Sequence, residues 1–154
     1  MDRDEIYMRK ALELAELAAG QGEVPVGAIV VKRSTGEIVG RGFNRREYGR
    51  SPITHAEIVA IETASRKLGG WRLIDCELYV TLEPCPMCAG AIINSRIQRV
   101  VFGAADPKAG SCGSVVNLFE LPFNHKPEFI GGVLERECSQ LLSDFFKKLR
   151  ESKK

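Results

Sequence analysis

The residues best able to do chemistry stand in two short motifs, Thr54-His55-Ala56-Glu57 and Glu83-Pro84-Cys85-Pro86-Met87-Cys88. Each lies between a turn signal and a stretch of helical periodicity. Proline suits the first position of a helix, where its missing N–H would have no partner anyway. Pro86 therefore predicts Cys85 as an N-cap and Cys88 as the third helical residue, so that two sulfurs leave one helix end. His55 and Glu57 are two positions apart, and in mid-helix they would face away from each other. They converge only if they project from a first turn. Both motifs thus predict helix N-termini aimed at one point, where the helix dipole favours thiolates and other anions.

One imidazole and two thiolates are soft or borderline donors, a set suited to Zn²⁺ with a fourth tetrahedral position open to water. Two thiolates and a neutral imidazole bring that centre to a net charge of about zero, which preserves its Lewis acidity. Glu57, beside the ligands but not one of them, is suited to carry a proton. Other readings stay open. Cys85 and Cys88 could form a thioredoxin-like redox pair, which also sits at a helix start, but His55 and Glu57 are then a coincidence. A structural Cys₂His₂ site could recruit His125, the only other histidine, although structural sites usually pair their histidines at short spacing. A purely structural zinc module that binds RNA or protein has no need of Glu57.

The elements that must position these motifs can be read from periodicity. Residues 4–19 carry Ile6, Ala11, Leu12, Ala15 and Ala18 at helical spacing and stop at Gly20 and Gly22. Residues 26–32 and 37–44 read as two strands joined by the turn cluster Ser34-Thr35-Gly36, a hairpin by pattern. A helix is predicted from about 55 to 68, ending at Gly69-Gly70, then a strand over Cys76–Leu82, a helix over Pro86–Ser95 and a strand over Arg99–Ala104. Residues 106–113 read as loop, 115–121 are ambiguous, and 129–132 form a short last strand. Leu134, Cys138, Leu141, Leu142, Phe145, Phe146 and Leu149 trace the apolar stripe of a final helix. A hairpin followed by strand–helix–strand units implies a mixed sheet with helices on its faces.

Composition bounds the remaining possibilities. At 154 residues, 44% hydrophobic and 27% charged, the chain suits one globular domain over 1–154 without disulfide staples. Its longest apolar runs are far short of the ~18 residues a membrane helix needs, and its start shows no secretory signal. Five cysteines, an odd number, argue for a reducing compartment, hence the cytoplasm. The net charge of +2 argues little. Its distribution says more: Arg41, Arg45, Arg46 and Arg50 cluster in one loop, and Lys147, Lys148, Arg150, Lys153 and Lys154 in the tail. The bland reading of both is a solvated surface.

The pairing of His55-Ala-Glu57 with Pro84-Cys-Pro-Met-Cys88 resembles the zinc-dependent cytidine deaminase superfamily, a signature for which the zinc and glutamate roles are generally described. Residues 22–28, Asn44, 78–88, 103–110, 123–125 and 141–146 extend the resemblance nearly end to end and narrow it to the tRNA-acting adenosine deaminases. The resemblance implies a three-layer α/β/α fold with a five-stranded mixed sheet, one zinc per subunit and a homodimer. It implies hydrolytic deamination of adenosine to inosine at the wobble position of an anticodon stem-loop. His55, Cys85 and Cys88 match the metal ligands and Glu57 the proton carrier. Asn44 matches an asparagine that contacts the nucleoside, and Asp106 a loop aspartate near the anticodon backbone. Val26, Ala28, Ala56 and Phe145 match positions expected near the substrate. The plainer readings are a turn-capping asparagine and an ordinary Asp-Pro turn. The sequence departs from the pattern at Ile53-Thr54, where a smaller residue is expected before the histidine, and at Cys112, where small residues are usual. Within the same fold, deamination of free guanine or cytosine is the alternative.

Overall fold

A computed structural model describes residues 2–152. Helix α1 (Arg3–Gly20) opens on Asp2, whose carboxylate accepts the Glu5 N–H at 2.9 Å, an N-cap that satisfies a donor the helix cannot. Strands β1 (Gly27–Lys32) and β2 (Ile38–Phe43) form the expected antiparallel hairpin. Helix α2 (Ala56–Leu68), strand β3 (Cys76–Leu82), helix α3 (Pro86–Ser95) and strand β4 (Arg99–Ala104) follow. Strand β5 (Glu128–Ile130) and helix α4 (Glu135–Ser152) complete the described residues. The sheet runs β2-β1-β3-β4-β5, antiparallel through β1 and parallel from β3 to β5.

The sheet separates two apolar layers. Ala56, Ala60, Ile61 and Ala64 of α2 and Ala89, Ile92 and Ile93 of α3 pack on one face with Val30, Leu78, Val80 and Val100. Met8, Ala11, Leu12 and Cys138, from α1 and α4, pack on the other with Ile29, Val31, Tyr79 and Val101. This is the three-layer α/β/α architecture expected. The alternation within β1 sends Ile29 and Val31 one way and Val30 the other, as a pleated strand requires.

Small residues let α2 lie close on the hairpin. A Cβ on Gly42 would collide with the Ala56 carbonyl, and one on Gly40 with the Ala60 carbonyl. These contacts set the height of the α2 N-terminus above the sheet, and so the place of His55.

Three sequence expectations shift. The last strand spans Glu128–Ile130 rather than 129–132, because pairing with β4 ends at Ile130 and Gly132 turns the chain out with φ +88°. The ambiguous stretch holds one 3₁₀ turn, Leu118–Glu120, capped by Asn117, whose side chain accepts the Phe119 N–H at 3.1 Å. The apolar stripe of α4 is only partly covered: Cys138 is buried, while Phe146 and Leu149 are each 40% exposed.

Candidate active site

The parallel strands β3 and β4 end side by side, and the chain segments leaving them carry Glu83–Cys88 and Asp106. Ligands in α/β sheets gather at such carboxyl ends. His55 is the N-cap of α2 and Cys85 the N-cap of α3, with Pro86 in the first turn as expected. Neither side chain makes a capping hydrogen bond. They turn toward each other instead. His55 Nδ1 lies 3.7 Å from Cys85 Sγ and 3.6 Å from Cys88 Sγ. The three donor atoms all lie within 4.8 Å of one another. At a tetrahedral angle, Zn–N and Zn–S bonds of ~2.0 and ~2.3 Å hold nitrogen and sulfur about 3.5 Å apart, so the spacing fits such an ion. His125 takes no part in this cluster: its Nε2 bonds the Ile97 carbonyl at 2.6 Å, a packing role.

The charges in the cluster are interdependent. A thiolate on Cys85 accepts from the Cys88 thiol and from His55, which brings Cys85 down to about 4 against the burial that opposes it. Cys88 is pushed far up by donating to Cys85 and by burial, and His55 is raised by its bond to Cys85. Glu57, at the second position of α2, is 4% exposed, and burial pushes its carboxyl up to about 7. A carboxyl near neutrality can both take and give a proton at physiological pH.

A cavity of about 510 Å³ opens over these groups, a volume suited to a nucleoside. His55, Glu57 and Cys85 line its base, with Val26 and Asn44 beside them. Asn44 does the capping work that His55 leaves undone, since its Oδ1 accepts the Ala56 N–H at 2.9 Å. It is thus both a cap, reaching across from the end of β2, and a wall residue of the cavity. Asp106 also lines the cavity, and its carboxylate accepts the N–H groups of Lys108 at 3.0 Å and Ala109 at 3.2 Å. The plain Asp-Pro turn is therefore present as well. Arg46 and Lys108 bring two cations to the rim.

Three expected contacts lie elsewhere. Ala28 and Ala56 are closed within the core and do not line the cavity; Ala56 contributes its amide to Asn44 instead. Phe146 stands on the cavity wall rather than Phe145, and the two rings meet edge to face at 5.5 Å. Of the two departures from the pattern, Ile53 is exposed and Cys112 is buried. Burial pushes the Cys112 thiol up, which makes it a poor target for oxidation.

Two buried carboxylates have roles that the sequence does not reveal. Glu23 is buried, and its oxygens accept the N–H groups of Glu47 at 3.1 Å and Tyr48 at 2.7 Å, holding the arginine-rich loop. Glu83, likewise buried, binds the loop that carries Asp106. Nothing in the local sequence marks either one, because each acts on backbone far along the chain. For Glu83, its place two residues before Cys85 is the only available signal.

The layered fold and the His-Cys-Cys cluster beside a buried glutamate define a class, the zinc-binding hydrolytic deaminases. Residues 1–104 match the family model for the cytidine and deoxycytidylate deaminase zinc-binding region. The tRNA-specific adenosine deaminase of Bacillus subtilis (strain 168) is 52% identical, covering 100% of this chain and 95% of that protein. A solved structure from a study of A-to-I editing by tRNA:A34 deaminases at the wobble position of transfer RNA aligns with a TM-score of 0.84 and 42% identity, covering 88% of this chain and 98% of that one. A guanine deaminase from Nitrosomonas europaea aligns with a TM-score of 0.79 at 26% identity, covering 94% of this chain and 85% of that one. The chain belongs to the cytidine and deoxycytidylate deaminase family and, within it, to the tRNA-specific adenosine deaminases.

Proposed function

We propose that this protein, as one deaminase domain over 1–154, hydrolyses the 6-amino group of adenosine at the wobble position of a tRNA anticodon, giving inosine and ammonia. The observation that carries this is the gathering of His55, Cys85, Cys88 and buried Glu57 at the base of a nucleoside-sized cavity. The likeness along the whole chain to relatives named for tRNA adenosine supports the choice of substrate.

His55, Cys85 and Cys88 hold one Zn²⁺ per subunit in this reading. When bound, zinc supplies the Lewis acidity that lets water ionise near neutral pH. Glu57 takes the proton from the attacking water, delivers it to the ring nitrogen beside C6, and passes the next to the departing amine. Asn44, with its oxygen held by Ala56, keeps its amide donors for the nucleoside. Val26 packs against the base, and Asp106 and Phe146 face the flanking nucleotides. A base inside a duplex cannot reach such a cavity, whereas a splayed anticodon loop can.

The rim cations Arg46 and Lys108 support a polyanionic substrate over a free base. A second copy of the chain is the remaining partner: Val115, Val116, Leu121 and Phe123 are exposed within one short stretch after the Asp106 loop, 61% exposed in the case of Val115. Such an apolar stretch is suited to burial in a homodimer. No helix among the described residues is long and apolar enough to cross a membrane, and five unpaired cysteines suit the reducing cytoplasm where tRNA resides.

The test is product formation. Zinc-loaded protein is incubated separately with an A34-containing stem-loop, free adenosine, guanine and cytosine. Inosine from the stem-loop alone is expected. Turnover of guanine without stem-loop activity would move the chain to the free-base branch.

A further inference from the structure

Glu83 leaves the end of β3 two residues before Cys85, and it is 3% exposed. Its Oε1 accepts the Asp106 N–H at 3.0 Å and the Ser114 hydroxyl, and its Oε2 accepts the N–H groups of Cys112 at 3.0 Å and Ser114 at 3.1 Å. Among the described residues no basic side chain forms an ion pair with it. All four bonds are accepted and none donated, the hydrogen-bonding pattern of a carboxylate. A single ionised side chain thus anchors both ends of the 106–114 loop, and the Pro84 carbonyl anchors its middle by accepting the Ser111 N–H at 2.9 Å. Gly110 passes so close that a Cβ there would strike the Glu83 carboxylate. The same loop supplies Pro107, Lys108 and Ala109 to the cavity wall.

We propose that Glu83 is a positioning residue for substrate: it locks the 106–114 loop to the segment that bears Cys85, so that the wall meeting the flanking nucleotides has one fixed shape. The inference rests on the deaminase reading above. The carboxylate acts on binding geometry and carries no proton in the reaction. Charge-assisted bonds to backbone N–H suit this role, since they are stronger and shorter than neutral ones.

Glu83→Gln keeps the size and removes two acceptor sites. In its better orientation the Gln amide nitrogen takes the place of Oε1. The Ser114 hydroxyl can rotate to accept from it, but the Asp106 N–H cannot, and that amide loses its partner. Three measurements are made beside wild type: zinc content, steady-state kinetics on the stem-loop, and amide hydrogen exchange. Zinc content should hold, KM should rise roughly tenfold with kcat changing less than about threefold, and exchange should accelerate at Asp106 more than in β3 or α3. Ser114→Ala, which deletes one donor and leaves the carboxylate, should shift KM the same way by about twofold. It serves if the glutamine variant folds poorly. Loss of zinc, a fall in kcat at constant KM, or unchanged exchange at Asp106 overturns the proposal. Exchange needs no turnover, so a protein inactive on tRNA that still shows the exchange change would discard the tRNA reading and keep the clamp.

Discussion

At the scale of single residues, the division of labour is between ligands and a proton carrier that must not ligate. Glu57 sits at the second position of α2, buried under the cavity and outside the three-donor cluster. Glu57→Gln keeps the shape and cannot carry the proton. We expect full zinc content, an unchanged melting temperature within a few degrees, and deamination reduced by about 10²–10⁴-fold, the range general acid–base catalysis contributes. Metal analysis beside an ammonia-release assay checks this; zinc loss would make Glu57 a ligand. Asn44 illustrates a second residue-scale point. One side chain caps a helix it does not belong to and lines the cavity, so the N-cap residue His55 is released from capping.

At the scale of elements, the site is a meeting of two helix starts and a strand end. An ion held by His55, Cys85 and Cys88 would tie α2 to α3, and its binding energy would also be folding energy. Cys85→Ala and Cys88→Ala should therefore lose both the metal and thermal stability, and a chelator should lower the melting temperature of wild type toward theirs. Unchanged zinc stoichiometry in both variants would point to other ligands. The seat of α2 matters as much. Gly42→Ala drives a Cβ into the Ala56 carbonyl, and that backbone cannot yield as a flexible side chain would. Overpacking of this kind costs about 1–3 kcal/mol. The lifted helix carries His55 with it, so zinc affinity measured by competition should fall along with stability.

At the scale of the whole molecule, the sheet carries opposite duties at its two ends. Away from the cavity, buried Glu77 accepts from Arg3 at 2.7 Å and from Arg99 at 2.8 Å, and Arg99 also pairs with Asp4 at 2.7 Å. Tyr79 donates to Asp4 at 2.8 Å. These bonds join α1 to β3 and β4. The Arg99 bond lowers Asp4 chiefly, and in Glu77 the bonds to Arg3 and Arg99 overcome a larger burial effect to lower it too. A carboxylate lowered in the folded state contributes stability above its unfolded pKa and loses it as pH falls through the folded value. The unfolded values are 3.8 for Asp4 and 4.5 for Glu77, so this stability should be intact at pH 7 and fade below about pH 4. Arg99→Met, which leaves Glu77 paired with Arg3 and with Arg33 at 3.2 Å, should cost about 3 kcal/mol at pH 7 and flatten that acid limb; denaturant titrations at pH 7 and pH 4 check it. At the other end, binding of the stem-loop should weaken with salt at a slope of about −0.7 per neutralised phosphate. With ~3 contacts, a fourfold rise in salt costs roughly 20-fold in affinity. Neutralising Arg45, Arg46 and Lys147 together should reduce that slope and spare the zinc. Lys153 and Lys154, the end of the basic tail, lie outside the described residues. Salt-independent binding would contradict the phosphate contacts.

What the sequence determined by itself was local. Pro86 after Cys85, and the spacing of His55 and Glu57, forced both motifs onto helix starts, because only there do such spacings converge. The strands over Cys76–Leu82 and Arg99–Ala104 and the helix over Pro86–Ser95 were legible at their true bounds for the same reason: period and breakers act within a few residues. Tertiary structure decided whatever depends on partners distant along the chain. The clamps of Glu23 and Glu83 bind backbone amides that carry no side-chain signature, and the use of Asn44 as a cap for α2 depends on how closely Gly42 lets that helix approach. The choice of Phe146 over Phe145 is a matter of helical phase. One residue turns the side chain about 100° around the axis, and only the packing of α4 on the sheet sets which phase faces the cavity.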